Sequence, residues 1–143
     1  MTKSQKYNIG GLLYLISKAP KEGFPFRIRL QKLMLLGKLE FYFPFDLKYS
    51  SYFYGPYAPQ IQRILDELST AGFISEEARE LSENQFGYYY SLTKKGELIL
   101  RDLKIPKEKT AKLDKLWDKY KDFSTGALIK SAKEISGIKS IDE

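Results

Sequence analysis

The chain is predicted to fold as a mainly α protein with a small β-hairpin, an α+β arrangement in which helices dominate. Six segments repeat apolar side chains at the i, i+3, i+4, i+7 spacing of one helix face. Two short aromatic and β-branched runs flank a polar stretch, as a hairpin requires. At 143 residues the chain is long enough to bury a core without disulfide or metal staples.

The first helix is expected from Lys6 to Lys18, with Ile9, Leu12, Leu13 and Ile16 inward, and it ends at Ala19-Pro20-Lys21-Glu22-Gly23. A second runs from Arg27 to Phe41 with apolar residues round most of its circumference, the mark of a central helix. Leu47 to Tyr54 reads as a short strand. Gly55-Pro56-Tyr57-Ala58-Pro59 is a turn setting the angle of a third helix, which carries Ile61, Ile64, Leu65 and Leu68 inward and stops at Gly72. The strands Phe73-Ile74-Ser75 and Tyr88 to Leu92 follow, joined by a polar loop from Glu76 to Gly87. Thr93 caps a fourth helix with Leu98, Ile99 and Leu103 inside. Pro106 opens a fifth, with Leu113, Leu116, Trp117 and Tyr120 in phase. Ser124 opens a sixth with Leu128, Ala132 and Ile135, and the tail after Gly137 is expected to fray.

Composition narrows the function. Cysteine and histidine are both absent, which removes thiolate nucleophiles, the commonest general base and the commonest transition-metal ligands. No Gly-rich phosphate loop or nucleophile elbow is present, and carboxylates such as Asp66 and Glu67 are sequential, about 100° apart on a helix. The chain is therefore not read as an enzyme, and no cofactor or metal is expected. No apolar run approaches about 20 residues and no leader pattern opens the chain, so a cytoplasmic protein with no membrane partner is expected. The Lys-rich, Tyr-rich, Cys-free composition suits a thermophile.

Three helices followed by strand, loop and strand is the order of a winged helix-turn-helix. The stretch Leu68-x-x-Ala71-Gly72-Phe73-Ile74, then Tyr90-Ser91-Leu92-Thr93-x-x-Gly96, looks like the end of a recognition helix, the wing strands and the start of the next helix. Arg29-Leu30-Gln31-Lys32-Leu33 followed by Tyr54-Gly55-Pro56-Tyr57 is similar to the YwgA-like proteins, themselves related to the SocA-like (Panacea) antitoxin domain. That resemblance covers residues 27 to 75. It implies a winged-helix-like domain with a strand inserted before the third helix, and roles of antitoxin or proteolytic-adaptor kind; the order of elements sets the expected domain over residues 1–103. Residues 104–143 form a C-terminal helical extension and a candidate dimerisation element.

A winged helix directs attention to duplex DNA and to transcription regulation. The net charge of +6 is uneven: residues 1–45 carry +6, residues 46–75 carry −1, residues 76–103 carry −2 and residues 104–143 carry +3. Under this reading Gln60, Gln62 and Arg63 on the third helix read base edges, while Arg27, Arg29 and Lys32, with Lys3 and Lys6, hold phosphates. The acidic wing, with Glu76, Glu77, Glu80 and Glu83, opposes it. The alternative is a protein-interaction module. Nine of the 21 aromatic residues lie between Phe41 and Tyr57, too many for a small domain to cover. Tyr52, Tyr54 and Tyr57 there, and Trp117 and Tyr120 on the fifth helix, are candidate interface residues for a protein partner or a symmetric homodimer. The competing reading for Trp117 and Tyr120 is core packing.

Overall fold

The computed structural model describes residues 1–20, 23–25 and 27–143. The expected helix break therefore falls partly outside the described residues, at Lys21 and Glu22. Six helices and five strands are present among the described residues: α1 (Lys3–Ser17), β1 (Phe24–Pro25), α2 (Arg27–Leu39), β2 (Ser50–Tyr52), β3 (Gly55–Tyr57), α3 (Pro59–Thr70), β4 (Ile74–Ser82), β5 (Gln85–Leu92), α4 (Lys94–Leu103), α5 (Lys107–Tyr120) and α6 (Thr125–Ser136). The architecture is mixed α+β, as the periodicities predict.

Helix starts follow local chemistry. Thr2 and Gln5 form a reciprocal capping box on α1. Thr93 and Ser124 accept from the backbone N–H groups of Gly96 and Ala127 and so cap α4 and α6. Helix α2 is central: every side chain from Leu30 to Leu36 is buried. Against it converge Leu12, Leu13 and Ile16 of α1, Ile61, Leu65 and Leu68 of α3, and Leu113, Leu116, Tyr120 and Leu128 of α5 and α6. The extension thus closes the same core.

The sheet order is β1-β5-β4, all antiparallel. The expected loop between the last two strands is instead a long hairpin. β4 and β5 stay paired from Ile74↔Leu92 to Ser82↔Gln85, and Asn84 takes the left-handed turn position at φ 63°. Most of that ribbon is exposed on both faces, so it lacks the apolar alternation that reveals a strand. The single strand expected over residues 47–54 is a hairpin, β2–β3, paired Ser50↔Tyr57 and Tyr52↔Gly55. β1, only two residues long, had no signal in the sequence.

Two further expectations are corrected, and the aromatic block is partly exposed, as expected. Leu98 and Ile135 lie on exposed helix faces, while Ile99 and Leu103 pack against the core. The tail does not fray: Ile141 donates its backbone N–H to Tyr52 O at 2.8 Å, and Ser140 is buried. The aromatic block divides. Phe43 and Phe45 are buried, their rings 4.4 Å apart, whereas Phe53 and Tyr54 are 64% and 62% exposed. No helix among the described residues is long and apolar enough to cross a membrane.

Candidate functional site

The motif pair Gln31-Lys32 and Gly55-Pro56-Tyr57-Ala58 is one structural unit. The Gln31 amide donates to Ala58 O and accepts from Ala58 N, both at 2.9 Å, in a fully buried two-point clamp. Lys32 Nζ donates to Pro56 O at 2.6 Å. Two adjacent residues of α2 thereby hold the strand that leads into α3. A strand segment that pairs with no further strand needs such side-chain partners for its buried backbone groups. Asn8 of α1 does the same for Asp46, donating to its carbonyl and accepting from its N–H at 3.0 and 2.8 Å.

Beside this clamp a cleft of about 450 Å³ opens between α2, α3, α6 and the β2–β3 hairpin. Its walls are Ile28, Leu65, Ile129 and the rings of Tyr52, Tyr54 and Tyr57, with Arg27, Gln31, Lys32, Gln62 and Thr125 as the polar groups. Tyr52 stacks on Tyr57 at 4.5 Å and 20°, and Phe53 leans on Tyr52 at 4.9 Å. The hairpin tip, Tyr52-Phe53-Tyr54, is exposed. A mostly apolar concavity with a few placed polar groups is the usual form of a recognition site.

Lys32 is the unusual group. Its side chain is 2% exposed, and among the described residues no carboxylate forms an ion pair with it. Burial, and secondarily the charge of Lys133, lower its amine to about 8 from an ordinary 10.5. Lys133 itself pairs with Glu143 and lays its alkyl chain against Gly55. Arg29 is lowered by burial, and its guanidinium donates to Thr125 Oγ1 at 3.3 Å.

Arg27 is committed to the sheet. It forms an ion pair with Glu76, donates to the Tyr90 hydroxyl at 2.5 Å, and lies 4.2 Å from the Tyr88 ring. Burial pushes the Tyr90 phenol up to about 12. Burial also raises Tyr49, whose hydroxyl is enclosed without a hydrogen-bond partner.

Six of the sequence-predicted site residues therefore meet at one cleft: Arg27, Lys32, Gln62, Tyr52, Tyr54 and Tyr57. The others lie elsewhere. Arg63 is exposed on α3, and Gln60 accepts from Lys48 N at 2.9 Å. Gln62, one of the six at the cleft, also donates to Asp66 at 2.9 Å. Trp117 is half-buried, tilted 6.0 Å from Phe24. Two expectations change. Lys32, expected to reach a phosphate at the surface, is buried instead, as are its neighbours Gln31 and Leu33. Tyr120 is no surface seam residue, for it is 2% exposed and donates its hydroxyl to Glu40. The residues that sequence reasoning passed over are Gln31, Thr125 and Ile129. Gln31 had a signal, its place in the quoted motif; the α6 pair had none. Among the described residues, no cluster of three or more acidic side chains is placed to hold a metal ion.

The Lys32 shift gives a pH dependence of known sign. Between about 8 and 10.5 the unfolded chain binds a proton that the folded chain has released, so stability rises with pH through that window. The raised phenols of Tyr49 and Tyr90 act oppositely, but only above about 10, where tyrosines of the unfolded chain ionise. The chain has no cysteine or histidine to confuse the interval below. Chemical denaturation should show wild type gaining about 1 kcal/mol from pH 8 to 9.5, with Lys32→Met flat over the same range. An equal slope in both proteins would contradict the placement of Lys32.

No family model matches the chain. It is similar to the uncharacterized protein YwgA of Bacillus subtilis (strain 168), 39% identical over 82 residues. The matched stretch is 56% of this chain and 48% of that protein, so the chain spans about half the length of the curated relative it matches.

Proposed function

We propose that the chain is a winged-helix-type domain that works as a protein-interaction module, of the antitoxin or adaptor kind, through the tyrosine-rich face of its cleft. The topology supports the scaffold. Helix, short strand, two helices and a hairpin, with the first strand paired to the last, is the winged-helix order, and β2–β3 is an insertion between its second and third helices.

The observation that carries the function is a division of labour on the surface. The Tyr52-Phe53-Tyr54 tip stands exposed, with Tyr52 and Tyr54 lining an apolar cleft, while two basic side chains suited to phosphates are engaged within the protein. Arg27 is paired with Glu76, and Lys32 is buried. On α3, Arg63 shares the exposed face with Asp66 and Glu67, and the hairpin ribbon carries Glu77, Glu80 and Glu83. Such a surface repels the phosphate backbone that a recognition helix and wing must grip. Large rings with a polar edge suit a protein interface, since each buries much area for little loss of rotamer freedom.

A titration of random and mixed-sequence duplex by fluorescence anisotropy tests this. At about 50 mM salt, binding should be absent or weaker than about 10 µM. Arg63→Ala should change nothing. Tight binding that falls steeply with salt and weakens in Arg63→Ala would restore the DNA-binding regulator and sink the interaction module.

A further inference from the structure

A buried lysine in the wall of an apolar cleft, with no counter-ion, is an incomplete arrangement. An isolated buried charge is tolerated only when something compensates it, because transfer from water is strongly unfavourable. Among the described residues, Lys32 Nζ has one hydrogen-bond acceptor, Pro56 O at 2.6 Å, and no carboxylate in ion-pair range. Its depressed amine basicity is the expected sign of that missing partner. No carboxylate is among the residues that line the cleft. Lys133 acts on it as a second cation, and the other polar groups of the cleft are Arg27, Gln31, Gln62 and Thr125. The remaining walls are hydrocarbon and tyrosine rings.

The geometry points to a binding site for a small organic monocarboxylate with an aromatic or branched apolar body, whose carboxylate takes up the Lys32 ammonium and whose body lies between Tyr57, Tyr54, Leu65 and Ile129. The volume of about 450 Å³ is in the range of small-molecule sites and exceeds what a bare acetate would fill. A carboxylate is preferred over a phosphate dianion because one buried ammonium faces it and Arg27 is already paired with Glu76. Only a group that enters fully reaches Lys32, since that side chain is 2% exposed. This site stands apart from the partner reading above: a ligand in the cleft does not require a protein on its rim, nor the reverse.

The test uses the full chain and matched pairs of probes, 3-phenylpropanoate with 3-phenylpropanamide and 4-methylpentanoate with its amide. Binding is followed by NMR of the tyrosine ring protons at pH 7. At least one acid should saturate, with Tyr54 and Tyr57 shifting most, and should bind roughly tenfold or more tightly than its amide, as a charge-assisted pair requires. In Lys32→Met the acid should lose that advantage, so that acid and amide bind alike. The acid–amide comparison on wild type stands even if the variant folds poorly. Acids and amides binding equally to wild type, no acid binding up to millimolar concentration, or an undiminished acid preference in Lys32→Met would each overturn the proposal.

Discussion

Gly96→Ala is expected to destabilise the protein by about 3 kcal/mol or more, a drop of roughly 10 °C in melting temperature. A Cβ at this position would lie 1.9 Å from Phe73 O and 3.0 Å from Phe73 C, so the clash is with backbone and no rotamer relieves it. The carbonyl in the way is itself engaged, accepting from Thr93 N at 3.1 Å. Around it Thr93 Oγ1 donates to Gly72 O at 2.6 Å and Lys95 Nζ donates to Ala71 O at 2.8 Å, which ties the end of α3 to the start of α4. The control is Gly72→Ala. At φ 82° that glycine is in the left-handed region, but nothing lies within 4 Å of an added Cβ, so the cost should be about 1 kcal/mol of backbone strain. Equal melting of the two variants would mean that α4 does not pack against Phe73 as described.

Leu65→Ala is expected to cost about 2–5 kcal/mol, from lost transfer free energy plus the cavity left behind. Leu65 is 1% exposed, packs in the core shared with α2, and on its other side walls the cleft. Its helical neighbour Gln62, at the cleft's edge, makes an exposed hydrogen bond to Asp66, and Gln62→Ala should shift stability by no more than about 0.5 kcal/mol. Thermal or urea unfolding of the two variants side by side separates core from rim. A Leu65→Ala protein that melts like wild type would place the helix phase of α3 wrongly, and with it the cleft.

Much of the fold was legible because its helices obey local rules. The stripe Ile61, Leu65, Leu68 and the caps Thr93 and Ser124 are written within a few residues of where they act, and each stands as expected. What escaped depends on distant partners. The Glu-rich β4 ribbon is held by backbone pairing to β5, and with both faces in water its sequence shows no period of two. Phe24 and Pro25 become a strand only because Tyr89 and Tyr90 lie opposite them. The site was legible by halves. The tyrosines of residues 52–57 were marked by their excess, but Lys32 looked like a surface cation because lysines seldom go inside. Its burial follows from the Gln31–Ala58 clamp, which aligns α2 with β3 across 27 residues of sequence.

Site-specific photo-crosslinking in living cells tests the proposed recognition face most directly. A benzoylphenylalanine side chain would replace Phe53 at the exposed hairpin tip beside Tyr52, Arg63 on the exposed face of α3, or Phe86 on the hairpin ribbon, one position at a time. The expected result is a discrete protein adduct from position 53, lost when Tyr52 and Tyr54 are changed to Ala, with no adduct from position 63. A nuclease-sensitive adduct from position 63 with none from position 53 would contradict the account. So would a product from position 53 that survives loss of both tyrosines, or one that proves to be a second copy of this chain.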